Sequence, residues 1–88
     1  MAESYEVAGL FPFVLCEIAN TRRKFGEQSL NLLDWSCILG EEYGEVCRSV
    51  ADTELHGEED YDHIMAELIQ VAAVALHMAA VVHGDCAP

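Results

Sequence analysis

Apolar residues recur at the three- and four-residue spacing of an α-helix along most of this chain. The first helical segment begins near Pro12, because the fixed φ and missing N–H of proline suit the first turn of a helix. It is predicted to run to Phe25 and to stop at Gly26, and residues 27–33 are predicted to form a connector. Asp34 is the expected N-cap of a second helix. The apolar face of that helix is formed by Trp35, Ile38, Leu39, Val46, Cys47 and Val50.

A third helix is predicted after Gly57, which interrupts the pattern. The acidic residues 58–60 precede it, where negative charge interacts favourably with the helix dipole. This helix is expected to continue to about His83, with Gly84 as its C′ residue. From Ile64 to Val82 it is apolar on nearly every face, and such a helix is normally buried on all sides.

The composition indicates how so much apolar surface is covered. A chain of 88 residues makes one small domain, here residues 1–88, yet 52% of it is apolar. A chain of this size buries only about 60–65% of its unfolded surface, so part of the third helix is expected to meet another subunit. The sequence therefore predicts an all-α fold, a small bundle of three to four helices completed by oligomerisation as a homodimer or homotetramer.

Charge and cysteine usage narrow the possible partners and the compartment. The formal charge of −12 argues against a nucleic acid polymer or an anionic membrane as partner, and it suits a protein that binds divalent cations. No C-x-x-C pair is present, so the four cysteines are interpreted as reduced. No basic residue precedes Arg22, and the apolar stretch from Leu68 to Val82 is short for a membrane span. We expect a cytoplasmic protein.

Two acidic pairs are candidates for a metal site. Glu42 and Glu45 share one helix face, and Glu67 and Gln70 do the same on the third helix, because residues three apart project together. Antiparallel packing of these helices would bring the four side chains to one place, and their oxygens suit Mg²⁺. Acidic helix faces are usually just solvated. Glu67, however, lies in an apolar helix, and residues 49–88 contain no Lys or Arg to neutralise it, which favours a metal.

These motifs resemble those of the MazG-like members of the all-α nucleoside triphosphate pyrophosphatases. That family carries E-E-x-x-E and then E-x-x-D on a facing helix, which correspond here to Glu41, Glu42 and Glu45, then Glu67 with Gln70 in the aspartate position. The likeness covers roughly residues 12–83. It also includes the run R-K-F-G-E-Q at 23–28 and the run E-L-I-Q-V-A-A-V-A at 67–75, which are similar to a small phage and bacterial subgroup.

The resemblance implies Mg²⁺-dependent hydrolysis of a (deoxy)nucleoside triphosphate to the monophosphate and pyrophosphate, with Mn²⁺ as a possible substitute. It implies Glu42, Glu45, Glu67 and Gln70 as metal ligands, and Glu41 and Glu45 as catalytic carboxylates that orient or deprotonate the attacking water. Gln70 adds no charge and cannot act as a general base. Three alternatives follow: one metal ion fewer, substrate phosphates that supply the missing charge, or a protein that binds nucleotide without cleaving it. We favour altered metal use with retained hydrolysis.

Substrate contacts are expected from the few cations and from one histidine. Arg23 and Lys24 could reach phosphates or could offset the dipole of the first helix, and Arg48 could contact phosphate or a ligand carboxylate. His63 lies one turn before Glu67 and is expected to line the pocket, whereas His77 is interpreted as a hydrogen-bonded core or interface residue. Two further possibilities are a non-catalytic nucleotide-binding or regulatory protein of the same fold and a plain helical oligomerisation module.

Overall fold

Three α-helices follow one another along the chain in the computed structural model, which describes residues 6–25, 30–57 and 59–86. A 3-10 helix, Val7–Leu10, leads into α1 (Phe11–Phe25), and α2 (Leu32–His56) and α3 (Tyr61–Cys86) complete the order. No strand occurs within these ranges. The predicted all-α class and the three predicted helices are therefore confirmed, whereas the predicted stop at Gly26 lies outside the described residues.

The central helix of the molecule is α3. It packs against α2 on one side and α1 on the other, while α1 and α2 make no close backbone contact with each other in the described ranges. Helices α2 and α3 are antiparallel, since Trp35 near the start of α2 stacks on His77 late in α3, and Ser49 late in α2 bonds Glu67 early in α3. A cleft therefore runs along α3 between the two outer helices.

The N-terminus of α2 begins earlier than predicted. Asn31 is the N-cap: its side-chain oxygen accepts a hydrogen bond of 2.8 Å from the Asp34 N–H. The Asp34 carboxylate in turn accepts a bond of 3.1 Å from the Asn31 N–H, which completes a capping box. The prediction of Asp34 as N-cap is therefore wrong, because this residue occupies the third helical position and supports the cap instead.

The turn between α2 and α3 uses one glycine and one aspartate. Gly57 has a left-handed φ of 72°, and its N–H donates to the Asp52 carbonyl, so it caps α2. The Asp60 side chain accepts a 3.1 Å bond from the His63 N–H and caps the start of α3. At the other end, the prediction of Gly84 as a C′ residue is wrong: α3 continues to Cys86, and Gly57 is the one glycine with positive φ in the described ranges.

The core of the single chain is small, and much apolar surface remains open. Its buried apolar residues are Trp35, Val46, Ala73 and Val74. On the exposed surface of α3, Met65, Leu68 and Leu76 are 39%, 49% and 52% exposed, and Met65 and Leu76 lie next to α1. The thiols of Cys16, Cys37 and Cys47 are free, as expected, but they are also exposed.

Helix α3 meets the length and composition criteria for a membrane span over Tyr61–Gly84, with a mean hydropathy of 1.9. The length argument drawn from Leu68 to Val82 therefore does not exclude a span. The core helix of a soluble protein passes the same test, so this property is weak evidence. The expectation of no membrane partner now rests on the polar side chains of α3, chiefly the buried Glu67.

Substitution by alanine should have opposite effects on the free energy of unfolding at Gly57 and at Gly44. A Cβ at Gly57 is strained by the left-handed backbone, and we expect Gly57→Ala to lower the free energy of unfolding by about 1–2 kcal/mol. Gly44 lies inside α2 with open space around the added Cβ, so Gly44→Ala should raise it by about 1 kcal/mol. Urea unfolding at one fixed protein concentration measures both. Equal effects of the two substitutions would contradict the assigned cap.

Candidate functional site

Glu67 is the buried charge of the molecule. Its side chain is 6% exposed in the middle of the contact between α2 and α3. The Ser49 hydroxyl donates a hydrogen bond of 2.5 Å to Oε1, and Nε2 of His63 lies 3.5 Å from Oε2. Both carboxylate oxygens thus have polar neighbours within this chain. The absence of Lys and Arg from residues 49–88 is therefore weaker support for a metal than the sequence implied, because a serine hydroxyl and a histidine already meet the carboxylate.

Glu42 carries a buried oxygen that these contacts do not satisfy. Its Oε2 atom is shielded from solvent and has no hydrogen-bond partner. Burial and the negative charge of Glu45 raise the pKa of the Glu42 carboxyl, Glu67 and Glu17 raise it further, and Lys24 opposes them. A cation placed here would therefore be stabilised by several carboxylates at once.

A small polar cavity adjoins Glu42 at the junction of the three helices. Its volume is about 60 Å³, enough for an ion or one or two waters. All three helices contribute to its lining, which consists of Glu17, Thr21, Lys24, Ile38, Glu42, Gln70 and Val74. The structure thus brings together two of the predicted metal ligands, Glu42 and Gln70, and one predicted phosphate contact, Lys24.

The other predicted site residues lie outside this cavity. Glu41, Glu45 and Arg48 are exposed on α2. Arg23 is exposed on α1, where it donates a hydrogen bond to the Asn20 side chain. Glu67 is held between Ser49 and His63, which is itself 57% exposed. Within the described ranges, no group of three or more His, Cys, Asp or Glu side chains is placed to hold one metal ion.

A second, wider cavity of about 420 Å³ lies at the end of the cleft near the α2–α3 turn. Acids and hydroxyls line it, together with His63: the set is Ser49, Asp52, Thr53, Glu59, Asp60 and His63. Ser49 and His63, which line this cavity, are also the polar neighbours of Glu67. The described residues therefore present side-chain oxygen atoms at two cavities, one beside Glu42 and one near the α2–α3 turn.

Sequence reasoning missed three residues of this site. Glu17 and Thr21 enter from α1, and Ser49 meets Glu67 from α2. A signal existed for each: Glu17, Thr21 and Lys24 share one face of α1 at four- and three-residue spacing, and Ser49 follows Glu42 by two helical turns. The spacing alone could not show that these faces meet.

The far end of the cleft is closed by an aromatic stack. The rings of Trp35 and His77 lie 5.0 Å apart at 5° to each other. Trp35 is 8% exposed, so its interpretation as a core residue is confirmed. His77 is partly buried beside it, and within the described residues its buried Nε2 has no hydrogen-bond partner, so no bond at this nitrogen supports the expected hydrogen-bonded histidine.

Removal of the Ser49 hydroxyl should lower the free energy of unfolding, because the buried carboxylate of Glu67 loses a hydrogen-bond donor. Ser49→Ala leaves Oε1 of Glu67 without its donor, and we expect a loss of about 1–3 kcal/mol in the free energy of unfolding. Ser36→Ala, an exposed change on the same helix, should stay within about 0.5 kcal/mol of the unmodified protein. Urea unfolding at pH 7 with a chelator measures both, and a Ser49→Ala effect no larger than that of Ser36→Ala would contradict the described role of this bond.

Because the pKa of the Glu42 carboxyl is raised, removal of its negative charge should stabilise the fold by an amount that depends on pH. Since the folded chain binds this proton more tightly than the unfolded chain, ionised Glu42 destabilises the fold as pH rises above the ordinary value of 4.5. We expect Glu42→Gln to raise Tm at pH 7 without divalent ions, and the gain to vanish below that value. Glu54→Gln, exposed on the same helix, makes the same change in net charge and serves as the control. Identical pH profiles for the two variants would show that the pKa of Glu42 is not raised.

Comparisons of the chain with protein-family models, with curated proteins and with solved structures found no match. The likeness to the MazG-like pyrophosphatases therefore rests on the motifs of the sequence alone. The activity, cofactor and partners that it implies stand as proposals.

Proposed function

We propose that this protein is a Mg²⁺-dependent hydrolase that converts a (deoxy)nucleoside triphosphate to the monophosphate and pyrophosphate. The observation that carries the proposal is the buried, unpartnered Oε2 of Glu42 beside a polar cavity that Gln70 also lines. A buried polar atom without a partner is costly unless a ligand satisfies it. Together with the two acidic motifs, this atom favours a bound cation.

The donor set partly fits a hard divalent cation. Mg²⁺ prefers carboxylate, amide and water oxygens, and the cavity presents the Glu42 carboxylate and the Gln70 amide. In the proposed enzyme, Glu45 and Glu67 would be the further carboxylate ligands. Glu67 is already near enough to raise the pKa of Glu42. When bound, the metal neutralises the triphosphate and lowers the pKa of a coordinated water.

The residues of the chain supply the remaining steps. Glu41 or Glu45, both exposed on α2, accepts a proton as the oxygen of water bonds to the α-phosphorus and the bond to the pyrophosphate oxygen breaks. Lys24 borders the cavity and contacts phosphate oxygens, with Arg23, Arg48 and His63 further out. Water screens the charge interactions of the partly buried Glu42 less than those of the exposed Arg23 and Arg48.

The proposed enzyme is a cytoplasmic homo-oligomer without a nucleic acid or membrane partner. The outward face of α3, which borders α1 and is defined by Met65, Leu68 and Leu76, is apolar and open to water in the single chain. A second copy of the chain on this face would bury it. We propose a homodimer or homotetramer formed in this way.

A non-catalytic nucleotide-binding protein is the second candidate. It is favoured by the amide of Gln70, which adds an oxygen but no charge, and by the lack of a three-carboxylate group in the described ranges. Such a protein would bind the nucleotide–metal complex in the same cleft without activating water. The two candidates therefore share a site and differ in turnover.

Pyrophosphate release separates the two candidates. With Mg²⁺ or Mn²⁺ and a panel of nucleoside and deoxynucleoside triphosphates, we expect release by the unmodified protein. Loss of the proton acceptor should lower kcat by about 100-fold or more in Glu45→Gln, and Glu67→Gln should abolish the metal-dependent rate. Gln70→Asp should keep or raise it, and Glu54→Gln is the charge-matched control.

No release from any substrate by folded protein would exclude the hydrolase. A rise in Tm with nucleotide plus metal would then support the binding protein, since a ligand of the folded state stabilises it. Without that rise, a plain oligomerisation module would remain. An unchanged rate in Glu67→Gln would contradict the proposed metal ligands.

Oligomer mass tests the proposed use of the outward face of α3. Light scattering after size-exclusion chromatography should give two or four times the chain mass of 9.7 kDa. Leu68→Glu places a charge on the covered face and should shift the protein to monomer or to weaker assembly. Leu55→Glu, at a position 75% exposed near the end of α2, should leave the mass unchanged. A monomeric unmodified protein would contradict assembly.

A further inference from the structure

The acids of the proposed site come from α2 and α3, but α1 contributes one more at the same place. Glu17 is half-buried and lines the 60 Å³ cavity together with Glu42 and Gln70. Glu17 and Gln70 also border a neighbouring cavity of about 310 Å³ between α1 and α3. These two side chains thus approach the same space from opposite helices.

The turn of α1 that carries Glu17 is held in place. Thr21, which is 6% exposed, donates a hydrogen bond of 2.9 Å from Oγ1 to the Glu17 carbonyl. The Asn20 amide donates a bond of 3.5 Å to Oε1 of Glu17, and Asn20 in turn accepts a bond from Arg23. The backbone of this turn is thus braced by Thr21, and the carboxylate of Glu17 has a long contact with Asn20.

The charge balance of the cavity indicates what Glu17 does there. Two carboxylates, Glu17 and Glu42, and one ammonium group, Lys24, surround a space that also receives the neutral Gln70. One negative charge is left over, and Oε2 of Glu42 is buried without a partner. A divalent cation would change this net charge from −1 to +1, and the phosphates of a bound nucleotide would offset the excess. It could use carboxylate and amide oxygens from three helices, with the unpartnered Oε2 of Glu42 among them.

We propose that Glu17 is a further carboxylate ligand of the cation site at Glu42, in addition to the residues of the two acidic motifs, with Gln70 as a neutral oxygen ligand, so that α1 closes the site. The inference rests on the proposed function, since it concerns the same metal. It goes beyond that function by adding a residue that neither acidic motif contains. It also has a structural consequence: a carboxylate at position 17 or at position 70 can supply the same charge, because both side chains line one cavity.

A charge-swap experiment tests this inference. Mn²⁺ binding to the full chain is measured from the paramagnetic resonance signal of the free ion for four proteins: the unmodified chain, Glu17→Gln, Glu17→Gln with Gln70→Glu, and Glu54→Gln. Loss of an outer partner of a metal ligand costs about 10–100-fold in affinity, so loss of a ligand charge in Glu17→Gln should cost at least about tenfold. The double variant should recover most of this loss, and Glu54→Gln should bind like the unmodified protein.

Folding is monitored in the same samples by circular dichroism and by Tm in the presence of a chelator. Glu17→Gln removes repulsion from Glu42, so its Tm without metal should equal or exceed that of the unmodified chain. Unchanged Mn²⁺ affinity in Glu17→Gln, or no Mn²⁺ binding by the unmodified chain, would overturn the inference. Lost affinity that the double variant does not recover would likewise overturn the shared-cavity assignment.

Pyrophosphate release from the same preparations distinguishes this inference from the proposed function. If Glu17→Gln loses Mn²⁺ affinity but the unmodified chain releases no pyrophosphate, the ligand assignment stands and the hydrolase is excluded. If the unmodified chain releases pyrophosphate and Glu17→Gln binds Mn²⁺ normally, the hydrolase stands and Glu17 is not a ligand.

Discussion

The hydrogen bond between Ser49 and Glu67 constrains how α2 and α3 pack. A carboxylate inside the most apolar helix of the chain is costly unless a donor meets it, so the two helices are held where Ser49 faces Glu67. Ser49 follows Glu42 by two turns on the same face of α2, and Gln70 follows Glu67 by one turn on α3. The register that satisfies Glu67 therefore also places Glu42 beside Gln70. We infer that Oε2 of Glu42 is buried without a partner because the Ser49–Glu67 hydrogen bond, two helical turns away, sets the position of α2 on α3.

The two long sides of α3 carry different chemistry. The side that faces the cleft presents His63, Glu67 and Gln70 to the polar cavities, and it ends at the stack of His77 on Trp35. The outward face, at Met65, Leu68 and Leu76, is apolar and open to solvent in the single chain. This face is the surface that we propose for assembly with a second copy of the chain.

Local patterns in the sequence predicted the helices well and predicted the site only in part. Gly57 and Trp35 have the roles that their residue types indicated, because a left-handed cap and a large buried ring depend little on distant contacts. Asp34 was wrongly predicted as the N-cap of α2, because Asn31 is an equally good capping residue and lies one turn earlier. Glu17 and Ser49 were missed for a different reason: each lies on an ordinary amphipathic helix, and only tertiary packing brings it to Glu42 or Glu67.

The proposed chemistry depends on a divalent cation that binds at the junction of the three helices. A Mg²⁺ titration of the metal-free protein, followed by ¹H–¹⁵N correlation spectra, tests for this cation residue by residue. We expect the largest saturable shifts at the amides of Thr21, Glu42 and Gln70, around the 60 Å³ cavity. Shifts confined to Glu59 and Asp60, at the wider acidic cavity, or no saturable shift at all, would contradict it.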